Sequence, residues 1–160
     1  MDQVYLCLAH MSGNEMKYIQ EAFDTNWVVP LGPNVNAFEK DLEDFVGQDK
    51  KVVALASGTA AVHLAMVALG VGPGDDVICQ SFTFAASCNP ARYLGATPVF
   101  VDSEQDTWNM DPNLLEDAIK DRIQKTVHKP KAIVLVYLYG MPAHIDEIIS
   151  IANKYEIPIL

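Results

Sequence analysis

No stretch of this chain approaches the ~20 consecutive apolar residues of a membrane span, so no membrane segment is expected. Met1-Asp2-Gln3 supplies no positive start and the apolar patch through Leu8 is short. No signal peptide is therefore expected, and the setting reads as cytoplasmic. Cysteine is scarce: Cys7, Cys79 and Cys88 are odd in number and contain no C-x-x-C pair. That argues against a disulfide framework or zinc site and predicts three small buried apolar residues in a reducing compartment. Positive charge is scarce as well, with 11 Lys and Arg, scattered, against 21 Asp and Glu. A net charge of −10 argues against a nucleic-acid partner, which needs a clustered basic face. His10, His63, His128 and His144 show no ligand spacing, so no metal is assigned; His63 reads as a packing residue. There is no G-x-G-x-x-G and no Walker sequence, which disfavours an ordinary dinucleotide-binding domain.

What is present is enough apolar material for a core, 50% of 160 residues. Ser12-Gly13-Asn14-Glu15 reads as a capping box with Ser12 as N-cap, opening a helix to about Phe23. Asn34 is placed to cap a second helix, in which Val35, Phe38, Leu42 and Phe45 recur at helical spacing before Gly47. From residue 51 the pattern alternates. Apolar runs at Val52–Ala56, Val77–Cys79, Thr97–Val101, Ala132–Tyr137 and Ile157–Leu160 are separated by helical stretches near 59–69, 85–94, 112–124 and 144–155. Asp111-Pro112 is a helix entry, with Asp as cap and Pro at the first helical position. Asp75, Asp76 and Asp102 lie near strand ends and read as turn and cap residues. The expected class is α/β, a mostly parallel sheet with helices on both faces.

The segment Ala56-Ser57-Gly58-Thr59-Ala60-Ala61 carries the first chemical signal. An apolar run enters a small-residue turn and then a helix, leaving backbone N–H groups free at the helix start, where a phosphate can sit. Gly58 permits close approach and Thr59 adds a hydroxyl; the plainer alternative is a tightly packed strand–helix turn. Ser81-Phe82-Thr83-Phe84 follows a strand and offers a ring to stack on a planar heterocycle, with Phe82 read as core. Trp27 lies in a Pro- and Gly-rich loop and could face a sugar or base, or plug a core.

Taken in order, His10–Glu15, Thr25–Gly32, Ala56–Ala61, Ser81–Ser87 and Tyr139-Gly140 resemble the nucleotide-sugar aminotransferases of DegT type, fold-type I pyridoxal-phosphate enzymes. Within them the likeness is to enzymes that aminate C4 of a UDP-linked 4-keto-6-deoxy-N-acetyl sugar, in bacillosamine-type pathways. The resemblance implies pyridoxal 5'-phosphate as cofactor, glutamate as amino donor and a homodimer. It implies that Ser57, Gly58 and Thr59 hold the cofactor phosphate and that Phe84 stacks on the ring. It implies that Asn26, Trp27, Val28 and Val29, with Gly58, contact the nucleotide-sugar, and that Tyr139 and Gly140 lie at the rim of the site.

The family's pyridine-nitrogen Asp and Schiff-base Lys have no counterpart in these 160 residues, so no catalytic residue is assigned. The expectation is a truncated large domain, with residues 1–50 a helical segment with the substrate loop and 51–160 the first part of the cofactor domain. The first strand, Val52–Ala56, would lack its neighbour, and the isolated chain would fold poorly or associate through sheet edges. A sugar dehydratase of the same family and a non-catalytic binding fragment remain as alternatives.

Overall fold

The computed structural model describes Gln3, residues 9–47 and residues 49–160; Cys7 lies outside them. Two compact units are formed, Met1–Ala54 and Leu55–Leu160.

The first unit holds α1 (Glu15–Asp24) and α2 (Pro33–Val46). Two sequence expectations shift here. The N-cap of α1 is Asn14, not Ser12, although Glu15 does reach back and accepts the amides of Ser12 at 2.6 Å and Gly13 at 2.9 Å. Those two bonds draw the chain into a turn before the helix can begin. Asn34 does not cap α2. Pro33 already occupies the first turn, where its missing N–H costs nothing, and Gly32 precedes it. Neither helix buries a residue, and Phe38 and Phe45 are exposed.

Val52–Ala56, read as the first strand, joins no ladder among the described residues. In the first unit its amides turn instead to α2: Val52 donates to Glu43 Oε1 at 3.3 Å and Ala54 to Glu39 Oε1 at 2.8 Å.

The second unit is built on three parallel strands, β1 (Asp76–Gln80), β2 (Thr97–Val101) and β3 (Ala132–Val134), in the order β2-β1-β3. Ile159 extends the sheet beside β3 through a single parallel bridge to Ile133. β3 is shorter than the apolar run Ala132–Tyr137 because the chain turns away once Val136 leaves the ladder. The helices are α3 (Gly58–Ala68), α4 (Asn89–Tyr93), α5 (Pro112–Thr126) and α6 (Ile145–Tyr155). The stretch expected as one helix near 85–94 divides into a 3-10 turn, Ala85–Ser87, and α4. Pro90 has no N–H to continue a ladder across the junction. Asp111 caps α5 as expected, accepting the amides of Asn113 at 2.7 Å and Leu114 at 3.3 Å.

Alternation along β1 places helices on both faces. Ile78 packs with Leu115 and Ile119 of α5 and Ile148 and Ala152 of α6. Val77 and Cys79 pack with Met66 of α3 and Ala91 of α4 on the other side. Burial pushes the Cys79 thiol up to about 12, so it stays protonated. Cys88 is half-buried.

Connections leave β1 for β2 in one direction and β3 for the Ile159 segment in the other. The sheet order therefore reverses between β1 and β3, and a crevice opens there beyond the carboxyl ends of the strands.

Candidate functional site

That crevice is a cleft of about 400 Å³. One wall is Phe82, Thr83 and Phe84, which follow β1; the other is the segment Val136–Gly140, which follows β3. Phe84 is 81% exposed, free to receive a planar ring. Phe82, expected in the core, is not there. It is about half exposed and meets Trp108 edge-on, with centroids 6.1 Å apart. The chain has left the sheet by this point, after Ser81 donates its amide to the Val101 carbonyl at 2.8 Å, and no helix of this unit buries Phe82.

α3 packs on the 3-10 turn that follows Phe84, although Ser57, Gly58 and Thr59 do not line the cleft itself. Ser57 is the N-cap, in extended conformation, and its hydroxyl accepts the Ala60 amide at 3.2 Å. Ala61 donates to the Ser57 carbonyl, closing the first helical turn. The amides of Gly58 and Thr59 precede any intrahelical bond and are left to an outside acceptor. A side-chain atom added at Gly58 would meet nothing within 4 Å, so the approach is open. No acidic residue occupies the first turn of α3 to compete for the positive helix end. These features fit a phosphate, despite the acidic balance of the whole chain.

Asn26, Trp27, Val28 and Val29 follow α1 in the first unit, with Asn26 at φ 58°. Trp27 is about half exposed and packs against Gly32, where an added Cβ would come 3.2 Å from its ring. A groove of about 300 Å³ is lined there by Trp27, Val29 and Leu31 together with Tyr18 of α1. Tyr139 and Gly140 do reach the cleft. His63 meets Tyr93 edge-on at 5.8 Å.

Asp102 acts as the expected loop fastener, accepting Ser81 Oγ at 3.0 Å and the Ser103 amide at 2.9 Å. The Ser103 amide, then the Ser81 hydroxyl, hold its carboxyl below the usual range. Glu104 accepts the Thr107 hydroxyl and the amides of Asp106 and Thr107, the hydroxyl being foremost in lowering its carboxyl. His144 Nε2 lies 3.8 Å from Glu104 Oε2, a pairing that linear spacing did not suggest.

Two residues of this site escaped the sequence reading. Gln80 and Asn109 are both fully buried polar side chains that tie the cleft loops together. Gln80 donates to the Phe82 carbonyl at 3.0 Å and accepts the Val136 amide at 3.4 Å. A polar residue closing the apolar strand Val77-Ile78-Cys79 was the available signal.

A parallel α/β sheet with a cleft at its switch point, in one unit with an amide-lined helix start, defines a cofactor-binding domain. Residues 9–160 match the model of the DegT/DnrJ/EryC1/StrS aminotransferase family, and the chain belongs to that family. EpsN of Bacillus subtilis (strain 168), whose name carries a provisional assignment as a pyridoxal phosphate-dependent aminotransferase, is 51% identical over 99% of this chain and 40% of its own length. UDP-2-acetamido-2-deoxy-3-oxo-D-glucuronate aminotransferase of Pseudomonas aeruginosa is 47% identical over 81% of this chain and 34% of its own length. Among solved structures, NtdA from Bacillus subtilis with bound cofactor PMP superposes with a TM-score of 0.77 at 31% identity, covering 93% of this chain and 33% of that one. The chain thus spans well under half the length of the relatives it matches. No described helix is long and apolar enough to cross a membrane.

Proposed function

We propose that this chain is the N-terminal part of a pyridoxal-phosphate-dependent aminotransferase that aminates a nucleotide-linked keto-sugar. The substrate is a UDP-linked 4-keto-6-deoxy-N-acetyl sugar, the amino donor is glutamate, and the enzyme is a cytoplasmic homodimer. Residues 1–50 contribute the substrate loop and residues 51–160 the first part of the cofactor domain. The Schiff-base Lys and the Asp that pairs with the pyridine nitrogen lie outside residues 1–160, so these residues alone do not transaminate.

The observation that carries this reading is the pair of unclaimed amides at Gly58 and Thr59, open to an anion at the start of α3. These amides and the Thr59 hydroxyl bind the phosphate, while Ser57 keeps the turn in shape by holding Ala60. The exposed ring of Phe84 gives the heterocycle a face to lie on. Phe82, Val136, Leu138 and Tyr139 line the cleft with apolar surface and limit the water around it. Once bound, pyridoxal 5'-phosphate supplies the electron sink that amino-group transfer requires. Asn26, Trp27, Val28 and Val29, with Gly58, bind the nucleotide-sugar.

The test is a titration of the enzyme carrying this chain with pyridoxal 5'-phosphate and with pyridoxal, followed by product analysis with glutamate and the UDP-keto-sugar. The reading expects saturable binding that weakens at least about tenfold without the phosphate, and a 4-amino sugar as product. Equal affinity for both compounds, or no aminated sugar, refutes it.

A further inference from the structure

Reading the cleft as the ring site gives Phe84 one wall and leaves the opposite wall to be explained. That wall is the turn Leu138–Gly140, whose central residue Tyr139 sits at φ 52°, ψ 24°. A bulky side chain keeps such a left-handed backbone only where its surroundings hold it. The holder comes from another loop. Asn109 Oδ1 accepts the Leu138 amide at 2.8 Å, and its Nδ2 donates to the Met141 carbonyl at 2.8 Å. One carboxamide therefore grips the turn at both ends. Asn109 is itself anchored to the end of β2. Its carbonyl accepts the Glu104 amide at 3.0 Å, and Ser103 bridges Met110 in antiparallel fashion. Thr107 Oγ1 lies 3.1 Å from Nδ2 and helps orient it.

We infer that Asn109 is a positioning residue for the cofactor ring: through Leu138 and Met141 it fixes Tyr139 across the cleft from Phe84. This rests on the reading of the cleft given above. The task needs a donor and an acceptor on one short side chain, both buried, which is what a carboxamide offers. Aspartate keeps the acceptor for Leu138 but sets a carboxylate oxygen against the Met141 carbonyl. The turn then loses one of its two fastenings.

The experiment uses the holoenzyme containing this chain, with Asn109→Asp compared against Ile119→Val. Ile119 is buried in the α5 core and makes no hydrogen bond to either loop through its apolar side chain, so it reports plain destabilisation. Dissociation constants for pyridoxal 5'-phosphate, circular dichroism of the bound cofactor and hydrogen exchange at the Leu138 amide are measured. Asn109→Asp is expected to raise the dissociation constant about tenfold, diminish the cofactor's dichroism and speed exchange at Leu138. Ile119→Val is expected to move none of these, even where its Tm falls as far. Should Asn109→Asp fail to fold, Thr107→Val loosens the same carboxamide, with a rise of about threefold expected. Wild-type affinity in the folded Asn109 variant, or in Thr107→Val if that is the one that folds, overturns the inference and spares the reading of the cleft. Equal effects in Asn109→Asp and Ile119→Val do the same. Absence of saturable binding in the wild-type enzyme overturns both.

Discussion

The Ser57 hydroxyl accepts the Ala60 amide at 3.2 Å, and that bond decides which amides at the start of α3 remain free. Ser57 serves the helix, while the amides of Gly58 and Thr59 precede its first intrahelical bond. The division separates two kinds of variant. Ser57→Ala removes a cap and should lower stability by about 1 kcal/mol. Gly58→Ala should leave stability unchanged or slightly raised, since Gly58 has no positive φ and an added methyl meets nothing. That methyl stands where a phosphate would approach, so cofactor affinity should fall about tenfold or more. Thermal melts of the apoprotein and cofactor titrations of the same samples check the split.

Phe84 is expected to show the same separation from the other side of the cleft. Its ring is largely exposed, so Phe84→Ala should leave Tm within about 2 °C of wild type. Loss of a stacking face should weaken cofactor binding by about fivefold to tenfold. Equal cofactor affinity in the variant would remove Phe84 from the site.

Gly95→Ala tests the scaffold alone. Gly95 sits at φ +81°, and an added Cβ would lie 3.0 Å from Pro73 Cγ. Backbone strain and crowding against a rigid ring should together cost about 1–3 kcal/mol. Denaturant unfolding measures it, and cofactor affinity in the folded protein should be unaltered.

Acid stability depends on Glu116, where α5 meets α6. Hydrogen bonds from Lys154, then Lys120 and the Tyr155 hydroxyl, hold its carboxyl down at about 2, against an ordinary 4.5. Folding lowers this pKa. The contribution is therefore full above about pH 4.5 and is lost as pH falls through about 2. Glu116→Gln should be less stable than wild type near neutrality, with the gap closing across that window. A gap that is constant from neutral to acid pH would contradict the assignment.

Much of the second unit was legible because its signals are local. Near-continuous apolar strands mark a sheet covered on both faces, and Asp111-Pro112 marks a helix start by its own chemistry. The helix start at Ser57 was readable for the same reason. The misplaced features depend on neighbours. Ser12 and Asn34 look like caps until Glu15 and Pro33 claim the adjacent turns. Val52–Ala56 looks like a strand until a partner is sought. Phe82 has a core residue's composition but lies beyond the sheet edge. Asn109 and Leu138 are 29 positions apart, and nothing in either segment announces that they meet.

The most direct test of the account is a crystal structure of the complete enzyme with pyridoxal 5'-phosphate bound. The account predicts the phosphate oxygens about 3 Å from the amides of Gly58 and Thr59, with the heterocycle flat against Phe84. A phosphate held by other residues, or a ring seated away from the cleft between Phe84 and Tyr139, would contradict it.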